Sequence, residues 1–217
     1  MKFNKKVFSL FFSLIFILSS VFTNDYIKVL SDKEMEYHDH ETYELWYDIE
    51  YNNPAYVIWD LTKDEAINSD NAMGNRPGSH FAKCKSSADE KIYSKSGYDK
   101  GHMCPNNDRD WSSASAKNTF RTCNICPQTP LLNRGIWKKY EEYGHIIAKE
   151  NELVTIVCGP IYLTESYLGN IRIPDNFFKI FYYNDKCECY IFDQNNNIIE
   201  TSIEEIEKLA NIKIIIL

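Results

Sequence analysis

Apolar and polar positions alternate along much of this chain, and the exceptions carry information. The first exception is an almost unbroken apolar run from Val7 to Phe22, preceded by Lys2, Lys5 and Lys6 and closing on small or polar residues, Ser19-Ser20 and Thr23-Asn24. It falls short of the about 20 apolar residues that span a bilayer. The order basic, apolar, small predicts a secretory signal peptide over residues 1–23. The mature chain, residues 24–217, is then expected in an oxidising space, extracellular or periplasmic, without membrane attachment.

Behind this leader, residues 25–42 are polar and acidic and read as a loose lead-in. Tyr43 to Asp60 predicts two strands around the turn signal Asn52-Asn53-Pro54, and Asn68 to Ser79 predicts a loop. Leu153 to Cys158 is a buried-strand pattern that Gly159-Pro160 should end. Phe177 to Tyr183 and Glu188 to Phe192 predict a hairpin around Asn184-Asp185. Ile203 to Leu209 predicts a short helix, and Ile212 to Leu217 a last strand or tail. One long helix is predicted from Asn133 to Glu150, because Leu132, Ile136, Tyr140, Tyr143 and Ile147 recur at the spacing of a core face. Asn133, Trp137, Glu141 and Gly144 form the adjacent stripe, which reads as a solvated edge or as a site. Strands outnumber helices and the two are mixed, so the fold class predicted is α+β with a central, mostly antiparallel sheet.

Composition narrows the picture. Hydrophobic residues make up 44% and charged residues 25% of 217, which suits one folded domain and excludes wholesale disorder. The net charge of −7 argues against a polyanionic partner until its distribution is taken into account. Between Arg76 and Lys139 there are 12 Lys/Arg against 5 Asp/Glu, a balance of +7, whereas the remainder holds 12 against 26, a balance of −14. One basic block inside an acidic protein reads as scattered surface charge or as a face for a polyanion.

That block holds the candidate chemistry. On a strand from Tyr98 to Met103, Lys100 and His102 share one face and Asp99 and Gly101 the other. Gly101 leaves space beside the histidine for a close-approaching group. A neutral imidazole beside a cation suits phosphate-ester hydrolysis, in which one takes a proton from water and the other stabilises charge on phosphate oxygens. Alone, Lys-x-His reads much more readily as a surface pair. The residues downstream of it tip the balance: Thr119-Phe120, Asn124, Pro127-Gln128, Leu132-Asn133, Trp137 and Glu141.

In this order and spacing, with Asp99-Lys100-Gly101-His102 at its head, the sequence resembles the non-specific DNA/RNA endonuclease family, the Serratia-type and endonuclease G-like nucleases. Arg76 and Phe81 upstream, and Cys158-Gly159-Pro160 with Ile173-Pro174 and Phe177-Phe178-Lys179 downstream, extend the likeness over nearly the whole mature chain. The resemblance implies a single endonuclease domain over 24–217 with a ββα-metal site. It implies His102 as general base and Asn133 as the one direct protein ligand of a divalent metal, Mg2+ or Mn2+. Glu141 is implied to orient metal-bound water, Asn124 to hold the site together by hydrogen bonds, and Arg76 to stabilise phosphate. The implied reaction is hydrolysis of DNA and RNA with little sequence specificity, leaving 5′-phosphates. Some members of the family are dimers, which allows a homodimer here, although no interface signature is readable.

Four positions depart from the family pattern. Lys100 stands where arginine is usual and loses the bidentate fork. Cys84 stands at an aspartate position, Cys123 at a serine position, and His145 where a basic residue often follows the glutamate by four. Two other functions compete. One is a nucleic-acid-binding module with decayed catalysis, which the survival of His102, Asn133 and Glu141 disfavours. The other is a secreted thiol-disulfide protein. Seven cysteines include Cys123-x-x-Cys126, which could be a redox pair, or half a zinc site completed by Cys187-x-Cys189. An odd count leaves at least one thiol unpaired, and Cys158 in its apolar strand is the expected one. His38-Asp39-His40 looks like a metal triplet but falls in the stretch expected to be solvated.

Overall fold

The computed structural model describes residues 26–217 apart from 70–73, 75, 76, 78, 82, 83, 85 and 86. The expected signal peptide, most of the predicted 68–79 loop and Arg76 therefore lie outside the described residues. Among the described residues no helix is long and apolar enough to cross a membrane.

The stretch expected to be a loose lead-in is ordered. It forms β1 (Ile27–Leu30) and β2 (Glu36–Asp39). Neither strand is long enough to show a periodicity of its own, and β1 finds its partner at the far end of the chain, with Ile27 opposite Ile216. The expected pair of strands comes next as β3 (Glu44–Asp48) and β4 (Asn53–Thr62), joined by a turn in which Asn52 takes a φ of 52°. α1 (Lys63–Ile67) starts with a capping box between Thr62 and Glu65.

β5 (Asp99–His102) is succeeded by α2 (Asn106–Arg109) and α3 (Ser113–Thr119), and pairs antiparallel with β6 (Ile125–Gln128). The predicted long helix is interrupted. α4 (Pro130–Leu132) runs into a widened turn at Asn133–Trp137, where Gly135 leaves helical geometry (φ −101°, ψ −115°), and α5 (Lys138–Asn151) resumes beyond it. A neighbour causes the break. Asn196 Oδ1 accepts from Ile136 N–H at 2.6 Å, and a Cβ on residue 135 would meet the same oxygen at 2.2 Å.

β7 (Leu153–Ile161) continues through Gly159-Pro160 instead of ending there. Its pairing with β4 stops at Cys158, so Pro160, opposite Phe177, has a partner strand on one side only and its missing N–H is tolerated. A small hairpin, β8 (Tyr167–Leu168) and β9 (Ile171–Arg172), precedes β10 (Asn176–Tyr183) and β11 (Lys186–Asp193). The β10–β11 turn is the predicted one, with Asn184 and Asp185 both at positive φ (46° and 59°) as a two-residue hairpin turn requires. β12 (Ile198–Thr201), α6 (Ile203–Ala210) and β13 (Lys213–Ile216) complete the chain, the last settling the strand-or-tail alternative in favour of a strand.

Seven strands form one antiparallel sheet in the order β12-β11-β10-β7-β4-β3-β2, so the α+β class with an antiparallel core is correct. Both faces of the sheet are covered, and side chains alternate between them. Val57, Trp59 and Leu61 of β4, Ile156 of β7 and Phe181 of β10 pack in one apolar cluster with Trp137 and Ile147. Tyr56, Ile58, Val157, Phe178 and Ile180 pack in a second cluster with Ile206 of α6 and with Ile27 and Ile214 of the β1–β13 pair. The described part of the basic block joins the first cluster through Met103, Cys104, Cys126, Leu132 and Trp137.

Candidate active site

The site is assembled on β5 and the Asn133–Glu141 segment, which meet because Trp137 is buried between them. Its indole N–H donates to His102 O at 3.2 Å, and its ring packs against Phe177 and Phe192. The stripe that read as edge or site is thus core at Trp137 and recess wall at Asn133 and Glu141. A recess of about 580 Å³ is lined by His102, Asn133 and Glu141, with Arg134 and Lys138 at its rim. Three of the sequence-predicted residues therefore converge.

Asp99, the head of the motif, orients this group. It accepts from Asn133 Nδ2 at 3.0 Å and takes Arg134 in a fork, Nε at 2.8 Å and Nη2 at 2.7 Å. Those bonds, Arg134 first, hold the Asp99 carboxyl below the usual carboxylate range. Burial pushes Glu141 up to about 7, against the pull of the Lys179 cation. Lys179 is itself buried with its ammonium 4.0 Å from the centre of the Trp137 ring.

Asn124 lies wholly inside. Its Oδ1 accepts from Cys104 N–H at 3.0 Å, and its Nδ2 donates to Cys104 O at 2.8 Å and Thr119 O at 3.0 Å. Its backbone oxygen accepts from Met103 N–H at 2.9 Å, so one amide side chain fastens the chain directly after His102.

Two expectations about β5 need revision. The space beside Gly101 is filled from within, since a Cβ there would lie 2.2 Å from Gln128 Oε1 on the paired strand. Lys100 does not line the recess. Its ammonium donates to Glu90 Oε2 at 2.7 Å in an adjoining hollow with Tyr98 and Asp99. The same Glu90 oxygen accepts from His80 N–H at 2.7 Å.

Three participants are not singled out by the sequence, His80, Glu90 and Asp108, and Lys179 appears there only as part of a downstream strand. His80 Nε2 is 3.2 Å from His102 Nε2, and both rings lie against Phe120. Burial, reinforced by the Lys100 cation, lowers His80 to about 4, so it is neutral at ordinary pH. Asp108 accepts from Trp59 Nε1 at 2.8 Å and pairs with His145 Nε2 at 2.9 Å. Burial works against the charge on His145, but this carboxylate outweighs it and raises the imidazole above its ordinary value. Motif spacing cannot reveal such partners, because each is brought in by another segment.

The cysteines sort differently from either rival reading. Cys123 is bonded to Cys84, not to Cys126. Cys126 is a buried thiol that burial raises well above the usual range, and Cys187 and Cys189 face each other at 3.8 Å on β11. Cys123, Cys126, Cys187 and Cys189 do not form one metal site. Cys158 is unpaired as expected, but so are Cys104, Cys126, Cys187 and Cys189.

The sequence model of the family described as DNA/RNA non-specific endonuclease matches residues 23–215. A nuclease of the cyanobacterium Nostoc is 30% identical over 139 residues, covering 62% of this chain and 51% of that protein. The mitochondrial endonuclease G of Bos taurus is 27% identical over 157 residues, covering 64% and 51%. The chain thus aligns with about half the length of these curated relatives. A chain of the solved EndoG/EndoGI complex superposes with a TM-score of 0.67 at 22% identity, over 83% of this chain and 86% of that one, which places the two in the same fold.

Proposed function

Because the chain belongs to the DNA/RNA non-specific endonuclease family, we propose that it hydrolyses phosphodiester bonds of DNA and RNA with little sequence preference, using a divalent cation and leaving 5′-phosphates. The observation that carries this reading is the convergence of His102, Asn133 and Glu141 on one recess with Arg134 and Lys138 at its rim.

The residues fit a hard cation such as Mg2+ or Mn2+. Asp99 engages the nitrogen of Asn133, so the amide oxygen is the donor it would offer the cation, and the half-buried Glu141 carboxylate in the same recess would hold the cation's waters. When bound there, the cation supplies Lewis acidity at the phosphate and the leaving oxygen. The protein's own groups do the rest. His102 takes the proton of the attacking water. Its Nε2 lies 3.2 Å from Nε2 of neutral His80, so the two imidazoles share one hydrogen bond that fixes the orientation of the His102 ring. Asn124 holds the backbone after His102 in place. Arg134 and Lys138 offer charge to the phosphate backbone, which carries no base information, in keeping with non-specific cleavage. Arg76 is the further phosphate contact that the family resemblance implies.

The basic-apolar leader and the Cys84–Cys123 bond both support a secreted protein. The test of function is incubation of purified protein with plasmid and with RNA, with and without a chelator. Cleavage of both, abolished by chelation and restored by Mg2+ or Mn2+, is expected. Binding without cleavage would leave the alternative of a nucleic-acid-binding module.

A further inference from the structure

The described residues bring three soft metal-binding side chains together away from the recess. His40 Nε2 lies 3.8 Å from Cys84 Sγ and 3.6 Å from Cys123 Sγ, and all three residues are buried. They come from three separate segments: the exit of β2, the loop before Asp89, and the turn that leads into β6. We propose that, in the dithiol form of the chain, His40, Cys84 and Cys123 bind one zinc ion, and that this state and the Cys84–Cys123 disulfide are mutually exclusive.

The spacing supports it. Zn–S bonds of about 2.3 Å and Zn–N bonds of about 2.0 Å at a tetrahedral angle set nitrogen and sulfur about 3.6 Å apart. Both His40–sulfur distances already match, so only the two sulfurs have to separate on reduction. Charge supports it as well. Two thiolates and a neutral imidazole cancel the charge of Zn2+, so the loaded site buries no net charge. His40 supplies the neutral ligand, and its Nε2 is the atom that faces both sulfurs. Its position is set before any metal arrives: its N–H donates to Tyr43 O at 3.0 Å, and Asn118 Nδ2 donates to its carbonyl at 3.3 Å. Water takes the fourth corner.

The chemistry balances simply. A phosphine or thiol reductant supplies two electrons to the disulfide, and zinc binding then displaces the two thiol protons. Transfer of two electrons to a disulfide oxidant such as oxidised glutathione re-forms the sulfur–sulfur bond and releases the ion. Both states clamp the same segments, next to Asn124 on one side and within four residues of His80 on the other. Cys84 is therefore held in reducing and in oxidising surroundings alike.

The test titrates phosphine-reduced protein with Co2+ as a spectroscopic stand-in, then displaces it with Zn2+. One equivalent of tetrahedral cobalt with a thiolate-to-cobalt charge-transfer band is expected, and no such band from oxidised protein. The oxygen donors at Asn133 cannot produce that band, so the result is independent of the nuclease reading. Cys84→Ser should remove the band, and His40→Ala should weaken affinity by more than the about 10–100-fold that loss of an outer partner costs. Cys187→Ser should change nothing. Should the variants fail to fold, wild-type protein still decides: Zn2+ must slow alkylation of Cys84 and Cys123, mapped by mass spectrometry. Absence of the band in reduced wild type, its persistence in Cys84→Ser, or equal alkylation with and without Zn2+ overturns the proposal.

Discussion

His102, the proposed base, is in contact with a residue from another segment, its Nε2 lying 3.2 Å from His80 Nε2. His102→Ala should lower cleavage by about 10²–10⁴-fold, the usual worth of a general base, while nucleic-acid binding persists in a mobility-shift assay. Near-normal turnover would remove His102 from the chemistry. His80→Ala removes the partner of His102 Nε2, a bond of about 1 kcal/mol. A loss of about fivefold in kcat with a displaced pH profile is expected, and His80→Asn should restore part of it. If the pH profile of His80→Ala matches wild type, His80 is only a packing residue. Lys100 presents a different case, because its charge is committed to Glu90. Lys100→Ala should therefore cost less than His102→Ala. A double-mutant cycle with Glu90→Gln should show coupling of about 0.5–1 kcal/mol, as expected for a partly exposed pair. Zero coupling would mean that the pair contributes nothing.

At the scale of elements, the sequence makes legible what local chemistry decides. The β10–β11 turn is readable because two residues that tolerate positive φ stand between apolar runs. The face of α5 is readable from Tyr140, Tyr143 and Ile147, and the spacing from His102 to Glu141 marks the recess. Features that stay hidden depend on partners distant in the chain: β1 and its mate β13, the break at Gly135 caused by Asn196, and the Cys84–Cys123 bond. The β5–β6 ladder offers a direct check on packing. Gly101→Ala drives a Cβ into the buried Gln128 side chain and should destabilise by about 1–3 kcal/mol, the usual cost of overpacking. Thermal denaturation should show part of this recovered in Gly101→Ala/Gln128→Ala, and a Gly101→Ala variant as stable as wild type would contradict the register. The α2–α5 contact carries a pH signature. His145 is raised above its ordinary value by Asp108, so its contribution is complete below about pH 6.5 and is lost as pH rises through the folded value. Urea titrations should show the contribution shrinking on the alkaline side, with no such slope in His145→Gln.

Over the whole molecule, an acidic protein places Arg134 and Lys138 at the recess, each beside a carboxylate, Asp99 and Glu142, with which the phosphate backbone must compete. If Z phosphates are neutralised there, log affinity for duplex DNA should fall with log salt at a slope of about −0.9Z. A flat response between low and moderate salt would show that Arg134, Lys138 and the surrounding block do not meet the backbone. The same molecule also brings its first and last described strands side by side, with Leu217 N–H donating to Tyr26 O at 2.8 Å on the sheet face that packs against α6. The recess belongs to the other face. Either end of the described chain can thus serve as a tether: a bead, a cell wall or a fused carrier joined there sits behind the sheet and leaves the recess turned toward passing polymer.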